Sequence, residues 1–303
     1  MVIPIVHHPA YRAETPAGHR FPMAKFARLA EVLVEEGLVP DGFHQPEPAG
    51  FETIAEAHEP GYVRSIFQAD APREVERRIG LPITASVALR SRAACAGTLL
   101  AARLALQHGL ACNTAGGSHH AARGHGAGFC TFNDVAVAAT NLLAEGAIRK
   151  ALVVDLDVHQ GDGTSEIFAG DGRVFTFSMH AAKNFPARKV AGDLDVELPD
   201  GTEDEAYLSA LEAVLPGLLE EQRPDLVFYN AGVDPHRDDR LGRLALSDEG
   251  LARRDRYVLD QCLGRGLPVT GVIGGGYDED IERLARRHAT LHRQAVEARR
   301  RWS

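Results

Sequence analysis

Apolar runs of four to six residues recur along this chain, separated by longer stretches in which apolar side chains return every third or fourth position. The runs at 2–6, 110–114, 151–154, 174–179, 226–229 and 269–273 have the length and character of buried strands. Residues 23–36 place Phe26, Leu29, Ala30, Leu33 and Val34 on one helical face, with Gly37 as the stop. Residues 86–107 predict a long alanine-rich helix whose small side chains permit close packing on a sheet. Asn133 caps a helix running to 143, and Ser247 caps one running to 263 with Glu249 in its first turn. Further helices are expected at 164–168, 203–219 and 281–300, with a turn into a short helix at 57–63. Strand and helix alternate throughout, without an internal repeat or a low-complexity linker. That order predicts one α/β domain over 1–303, a central, mainly parallel β-sheet with helices on both faces.

The chemistry gathers where the strands end. Five expected strands run into polar or glycine-rich chain: His119/His120, Asp155/Asp157/His159, Ser178/His180, Asn230/Asp234 and Gly276/Tyr277. In open α/β sheets ligands bind outside the carboxyl ends of the strands, so the five ends predict one site there. Asp155, Asp157 and His159 are spaced by two, which on an extended backbone puts them on one face. Burying two carboxylates and an imidazole without a partner costs roughly several kcal/mol per charge. A divalent metal removes that cost, because carboxylate oxygen and imidazole nitrogen are among its usual ligands. A hydrogen-bonded strand terminus without metal is the alternative. The glycines before His119 and His120, and the cluster at 124–130, read as site lining. His7 and His8 suit either a site or a solvated surface.

Composition narrows the classes. The 303 residues are 45% hydrophobic and 25% charged, with a net charge of −9 and a pI near 5.9. That balance argues against a nucleic-acid-binding surface. Cys95, Cys112, Cys130 and Cys262 lie far apart and form no CxxC pair, so neither a disulfide framework nor a zinc–thiolate site is expected. With no leader and no uncharged run of about 18 apolar residues, a cytoplasmic protein is expected.

Five motifs in this order resemble the zinc-dependent histone deacetylase family: Gly116–Ala121 (Gly-Gly-Ser-His-His-Ala), Gly128–Asp134, Asp155–Asp162, Asn230–Asp234 and Gly274–Tyr277. The segments 19–25, 201–205 and 239–242 look most like its small class IV type. The resemblance implies an arginase/deacetylase-like fold and a metal-dependent amide hydrolase acting on an acetyl- or longer acyl-lysine. It implies a Zn²⁺ or Fe²⁺ ion on Asp157, His159 and Asp234, with His120 as general base and His119 as electrostatic partner. Asp162 and Asp155 would orient these two histidines, and Tyr277 would stabilise the oxyanion. Gly128, Phe129, Cys130, Phe185, Gly275 and Gly276 would line the substrate channel. A structural K⁺ or Na⁺ would sit at Asp155, Asp157, His159, Ser178 and Met179.

Two departures bear on the substrate. Ser118 stands where many family members carry a large aromatic, which predicts a wider chamber at the channel floor. No convincing match exists for the class I rim carboxylate, with Asp70 a distant candidate. An acetylpolyamine or another acylated small amine is therefore the alternative substrate. An arginase-like ureohydrolase is disfavoured because Gly161 stands where a second metal needs a carboxylate. A catalytically dead binding module is disfavoured because ligands, histidines and tyrosine are all retained.

Overall fold

The computed structural model describes residues 3–16 and 18–302. Seven parallel strands form its centre: β1 (Ile5–Val6), β2 (Leu110–Asn113), β3 (Ala151–Asp155), β4 (Val174–Ala181), β5 (Leu194–Leu198), β6 (Leu226–Asn230) and β7 (Val269–Val272), in the spatial order β1-β2-β7-β6-β3-β4-β5. The four central strands β2, β7, β6 and β3 are buried at every residue. Their unbroken apolar character follows, since helices cover both faces of a parallel sheet. The first strand is shorter than expected, and Val2 lies outside the described residues. Strand β5 is an addition. Its Leu-Asp-Val-Glu-Leu alternation belongs to a partly exposed edge, where the sequence offers no continuous apolar run.

Among the described residues ten α-helices flank the strands: α1 (Lys25–Glu35), α2 (Phe51–Ala55), α3 (Pro60–Phe67), α4 (Arg73–Ile79), α5 (Ala85–His108), α6 (Asp134–Ala144), α7 (Asp162–Phe168), α8 (Asp204–Gln222), α9 (Asp248–Leu263) and α10 (Ile281–Arg301). The caps follow the sequence. Asn133 accepts from the Ala136 N–H and Ser247 from the Gly250 N–H, at 3.0 and 2.9 Å. Helix α5 packs along β1, β2 and β7 and against α6, while α8, α9, α10 and α1 pack in succession over the other face. No described helix is long and apolar enough to cross a membrane.

Register fixes the site's position. One row of paired residues crosses the sheet near its carboxyl edge: Val6, Asn113, Val272, Asn230, Asp155, Ser178 and Asp195. From β3 the chain proceeds to β4 and β5 on one side, whereas β6 lies on the other. The switch point between β3 and β6 is where an open α/β sheet leaves a crevice.

Candidate active site

Strand β3 stops at Asp155, and the next residues do not continue it. The Asp157 N–H donates to Asp155 Oδ1 at 3.2 Å, and the His159 N–H donates to Asp157 Oδ1 at 3.0 Å. The spacing of two is thus a pair of consecutive side-chain turns and not one face of a strand, a correction to the extended reading. The turns swing Asp157 and His159 over the crevice, while Asp155 stays beneath.

Asp234 arrives from the loop after β6. One ligand atom each from Asp157, His159 and Asp234 lies within 4.8 Å of the others, and all three side chains are buried. His159 Nδ1 is 3.0 Å from Asp157 Oδ1 and 3.1 Å from Asp234 Oδ2. Burial would make His159 a poor base, but these two carboxylates prevail and raise it to about 10. Burial and the charge of Asp157 push Asp234 up to about 7. Two buried carboxylates in such proximity demand a positive charge between them, and a carboxylate–imidazole–carboxylate set suits a divalent metal. Glycine makes the room: the Gly275 N–H donates to Asp157 Oδ2 at 2.7 Å, and a Cβ on Gly275 would collide with both carboxylates.

The paired histidines stand on the next loop. His119 Nδ1 lies 2.7 Å from Asp155 Oδ2, and His120 Nδ1 lies 2.6 Å from Asp162 Oδ1 at the start of α7. Asp134 holds the turn before them, accepting from the N–H groups of Gly117 and Ser118 at 3.2 and 2.8 Å. The sequence placed this carboxylate at the end of the Gly128–Asp134 motif but gave it no role, since it resembles an ordinary first-turn acid of α6. Gly161 settles a question of space. A Cβ there would come 2.5 Å from Asp155 Oδ2 and 3.4 Å from His119 Nδ1, so a carboxylate for a second metal has no room.

A cleft of about 490 Å³ opens on this group, lined among others by His120, Gly128, Phe129, His159, Phe185 and Tyr277. Phe185 is exposed, with its ring edge-on to His120 at 4.7 Å, and Phe129 forms the facing wall. Gly128 passes so close that a Cβ would meet His120 Cδ2 at 2.6 Å. Tyr277 is more buried than a mouth residue, at 9% exposure, and packs 5.9 Å from the Phe129 ring. Its N–H donates to Asp239 at 2.7 Å.

Behind the cleft lies a chamber of about 30 Å³, lined by Ser118, Cys130, Gly275, Lys25 and Arg90 among others. Ser118 does face this space, but the expected widening is absent. Phe21, Phe26 and Arg90 fill it, the Arg90 guanidinium lying 4.7 Å from the Phe26 ring. Lys25 is another residue to which the sequence alone gave no role. Its buried Nζ donates to the carbonyls of Gly274 and Gly276 at 3.3 Å each, and burial lowers it to about 8.

Several expected residues fall elsewhere. Ser178, Met179 and His180 line neither space, and Ser178 Oγ is 2.9 Å from His180 Nδ1. The loop that follows β4 nevertheless brings Lys183, Asn184 and Phe185 to the cleft, so all five strand ends reach the site, β4 through these residues and not through Ser178 or His180. In the 124–130 cluster, Gly128, Phe129 and Cys130 line it, whereas Gly124 sits against Glu59. His7 binds Thr114 at 2.7 Å and His8 accepts from the Ala10 N–H, both away from the cleft. Asp70 does not line the mouth.

The model of the histone deacetylase domain matches residues 19–293. The chain belongs to the histone deacetylase family. Among relatives of this family, histone deacetylase 2 of Arabidopsis thaliana is 31% identical over 277 residues, covering 88% of this chain and 71% of that one. A probable deacetylase of Methanothermobacter thermautotrophicus is 30% identical over 292 residues, covering 91% and 86%. An uncharacterised protein of Picosynechococcus sp. is 50% identical over 296 residues, covering 97% and 99%. The crystal structure of the HDA15 HD domain superposes with a TM-score of 0.80 at 22% identity, covering 99% of this chain and 89% of that one. That likeness is one of fold. Family membership makes the chain a deacetylase-type hydrolase of acylated substrates.

Proposed function

We propose that this protein is a metal-dependent lysine deacylase that removes a short acyl group from the side-chain amine of a peptide or protein. The observation that carries the reading is the buried Asp157–His159–Asp234 group, which shares one cleft with His120. Zn²⁺ or Fe²⁺ on those three side chains would supply Lewis acidity to a water and to the amide carbonyl. His120 is the general base. Asp162 fixes the proton on Nδ1, leaving Nε2 free to take a proton from water and return it to the leaving amine. Burial and the neighbouring charge of His119 lower His120 to about 4 against the pull of Asp162, so it is neutral and ready to accept. His119 is its electrostatic partner. Burial opposes its protonation, but Asp155 and Asp157 outweigh this and raise it to about 9.

Tyr277 supplies the hydrogen bond to the developing oxyanion, on a turn that Lys25 and Asp239 hold from two sides. Phe129 and Phe185 wall the acyl-lysine stem. A floor chamber of only about 30 Å³, against about 490 Å³ for the cleft, favours acetyl over longer acyl chains. A structural K⁺ or Na⁺ would sit at Asp155, Asp157, His159, Ser178 and Met179, and the protein would work in the cytoplasm. The test is turnover of acetyl-, butyryl- and myristoyl-lysine peptides by zinc- and iron-loaded protein. Acetyl is expected to lead in kcat/KM, and no turnover of any acyl-lysine would overturn the reading.

A further inference from the structure

The mouth of the cleft reverses the charge of the molecule. Among the fifteen residues lining it, Arg20, Arg77, Arg78, Lys183 and Arg243 are cationic and none is Asp or Glu, in a chain whose net charge is −9. Arg243 is paired, to Asp200 at 3.1 Å. Arg20, Arg77, Arg78 and Lys183 are exposed and form no ion pair among the described residues. The carboxylates nearest the floor face other partners: Asp162 holds His120, and Asp239 accepts from the N–H groups of Leu241, Gly242 and Tyr277.

The cations surround the opening from four segments. Arg20 lies over the Phe129 ring at 5.3 Å. Arg77 and Arg78 occupy the last turn of α4, which is tied to the channel wall: the Arg78 carbonyl accepts from the Gly128 N–H at 3.3 Å and the Ile79 carbonyl from the Phe129 N–H at 2.6 Å. Lys183 precedes Phe185 on the opposite wall, and Arg243 follows Leu241. A ring of this sign raises the local concentration of anions and repels cations, most strongly at low salt.

We infer that the substrate is anionic on its amine side: an acyl-lysine set among Asp and Glu residues. This rests on the deacylase reading above and adds the sequence context that the site selects. The walls take the neutral acyl-lysine stem, and the guanidinium groups at the mouth meet flanking carboxylates in the geometry arginine favours. The same ring disfavours a lysine in a basic tail, and it disfavours an acylated polyamine, whose remaining ammonium groups would stand among five cations.

The test uses three acetyl-lysine peptides of equal length, flanked by Asp/Glu, by Ser/Gly or by Arg/Lys, with acetylspermidine as competitor. Binding to zinc-loaded protein is read by fluorescence anisotropy, and kcat/KM is measured in parallel at low and high salt. Each exposed pair contributes about two- to fivefold. The acidic peptide is therefore expected to exceed the basic one by at least about tenfold in both readouts, with the gap closing in high salt. The variant R77Q/R78Q is expected to shrink the ratio of acidic to neutral peptide several-fold. Equal or reversed ranking, or stronger competition by acetylspermidine than by the acidic peptide, would overturn the inference. If the binding order holds but no peptide is hydrolysed, the lysine deacylase reading fails and the assignment of the rim stands.

Discussion

His119 and His120 lie ring against ring, 4.1 Å between centroids, and each rests on a carboxylate in a different setting. The Asp155 side chain beside His119 is 3% exposed, and the Asp162 side chain beside His120 is 17% exposed. Asp155 has help that Asp162 lacks, because Asp157 also faces His119, at 3.7 Å. Burial opposes protonation of both rings, yet Asp155 and Asp157 raise His119 to about 9 while His120 is lowered to about 4, a contrast that suits the proposed base and its electrostatic partner.

Replacing His120 with Ala should lower kcat by at least about a hundredfold while metal content is unchanged. Asp162→Asn leaves the ring in place but loosens control of its tautomer, and a smaller loss is expected. Single-turnover kinetics with metal analysis of each variant is the check. Full turnover in His120→Ala would assign the base to another group.

For Tyr277, substitution by Phe keeps the contacts with Phe21 and Phe129 and removes the hydroxyl. Losing one oxyanion donor costs about 2.7–4 kcal/mol, or roughly 10²–10³ in kcat. kcat and kcat/KM should fall together. A variant that melts far below the parent would instead show that the hydroxyl serves packing.

One divalent ion per chain is expected, bound through Asp157, His159 and Asp234. Asp234→Ala should abolish tight binding, measured by elemental analysis after gel filtration. Two tightly held transition-metal ions per chain would contradict the crowding at Gly161.

Acid sensitivity has a source outside the site. His58 is buried, its Nδ1 2.9 Å from the Ala122 carbonyl, and its Nε2 accepts from the Asn133 N–H at 2.9 Å. Burial lowers it to about 4, against an unperturbed value near 6.5. The folded chain thus binds fewer protons than the unfolded one below pH 6.5. This group's contribution is complete above that pH and declines as pH falls towards 4, by about 2 kcal/mol at pH 5. Urea denaturation at pH 7.5 and pH 5 should show that loss, and His58→Gln should be less stable at pH 7.5 but decline less. An identical decline in the variant would move the effect to other buried histidines such as His292.

Much of this arrangement was legible because its chemistry is unusual in sequence. Asp157, His159 and Asp234 stood out as polar residues at apolar strand ends, the choice of these three as a ligand set coming from the family resemblance, and the caps Asn133 and Ser247 from their side-chain type. What escaped was contact across long separations. Lys25 reads as a surface residue of α1 until its ammonium is seen reaching two carbonyls about 250 positions away. Asp134 reads as a helix-start acid until it is found holding the histidine turn. Ser118 promised space, and the opposite elements, carrying Phe21 and Arg90, took it. Strand β5 was lost because an edge needs only half its residues to be apolar.

The place of β7 has a consequence for synthesis. It is the last strand of the described chain, yet it lies between β2 and β6, and β1 and β2 reach the rest of the sheet only through it. Until residues 269–272 are inserted, the nascent protein holds two separate sheet fragments. The three proposed metal ligands have already been made by residue 234, but the Gly275 amide that seats Asp157 and the Tyr277 ring arrive with the closing strand. Domains whose decisive contacts are so distant fold late and expose edges while they wait. A chain stalled shortly before β7 would therefore carry open strands beside a half-built ion site, a target for chaperones and proteases and not a partly working enzyme.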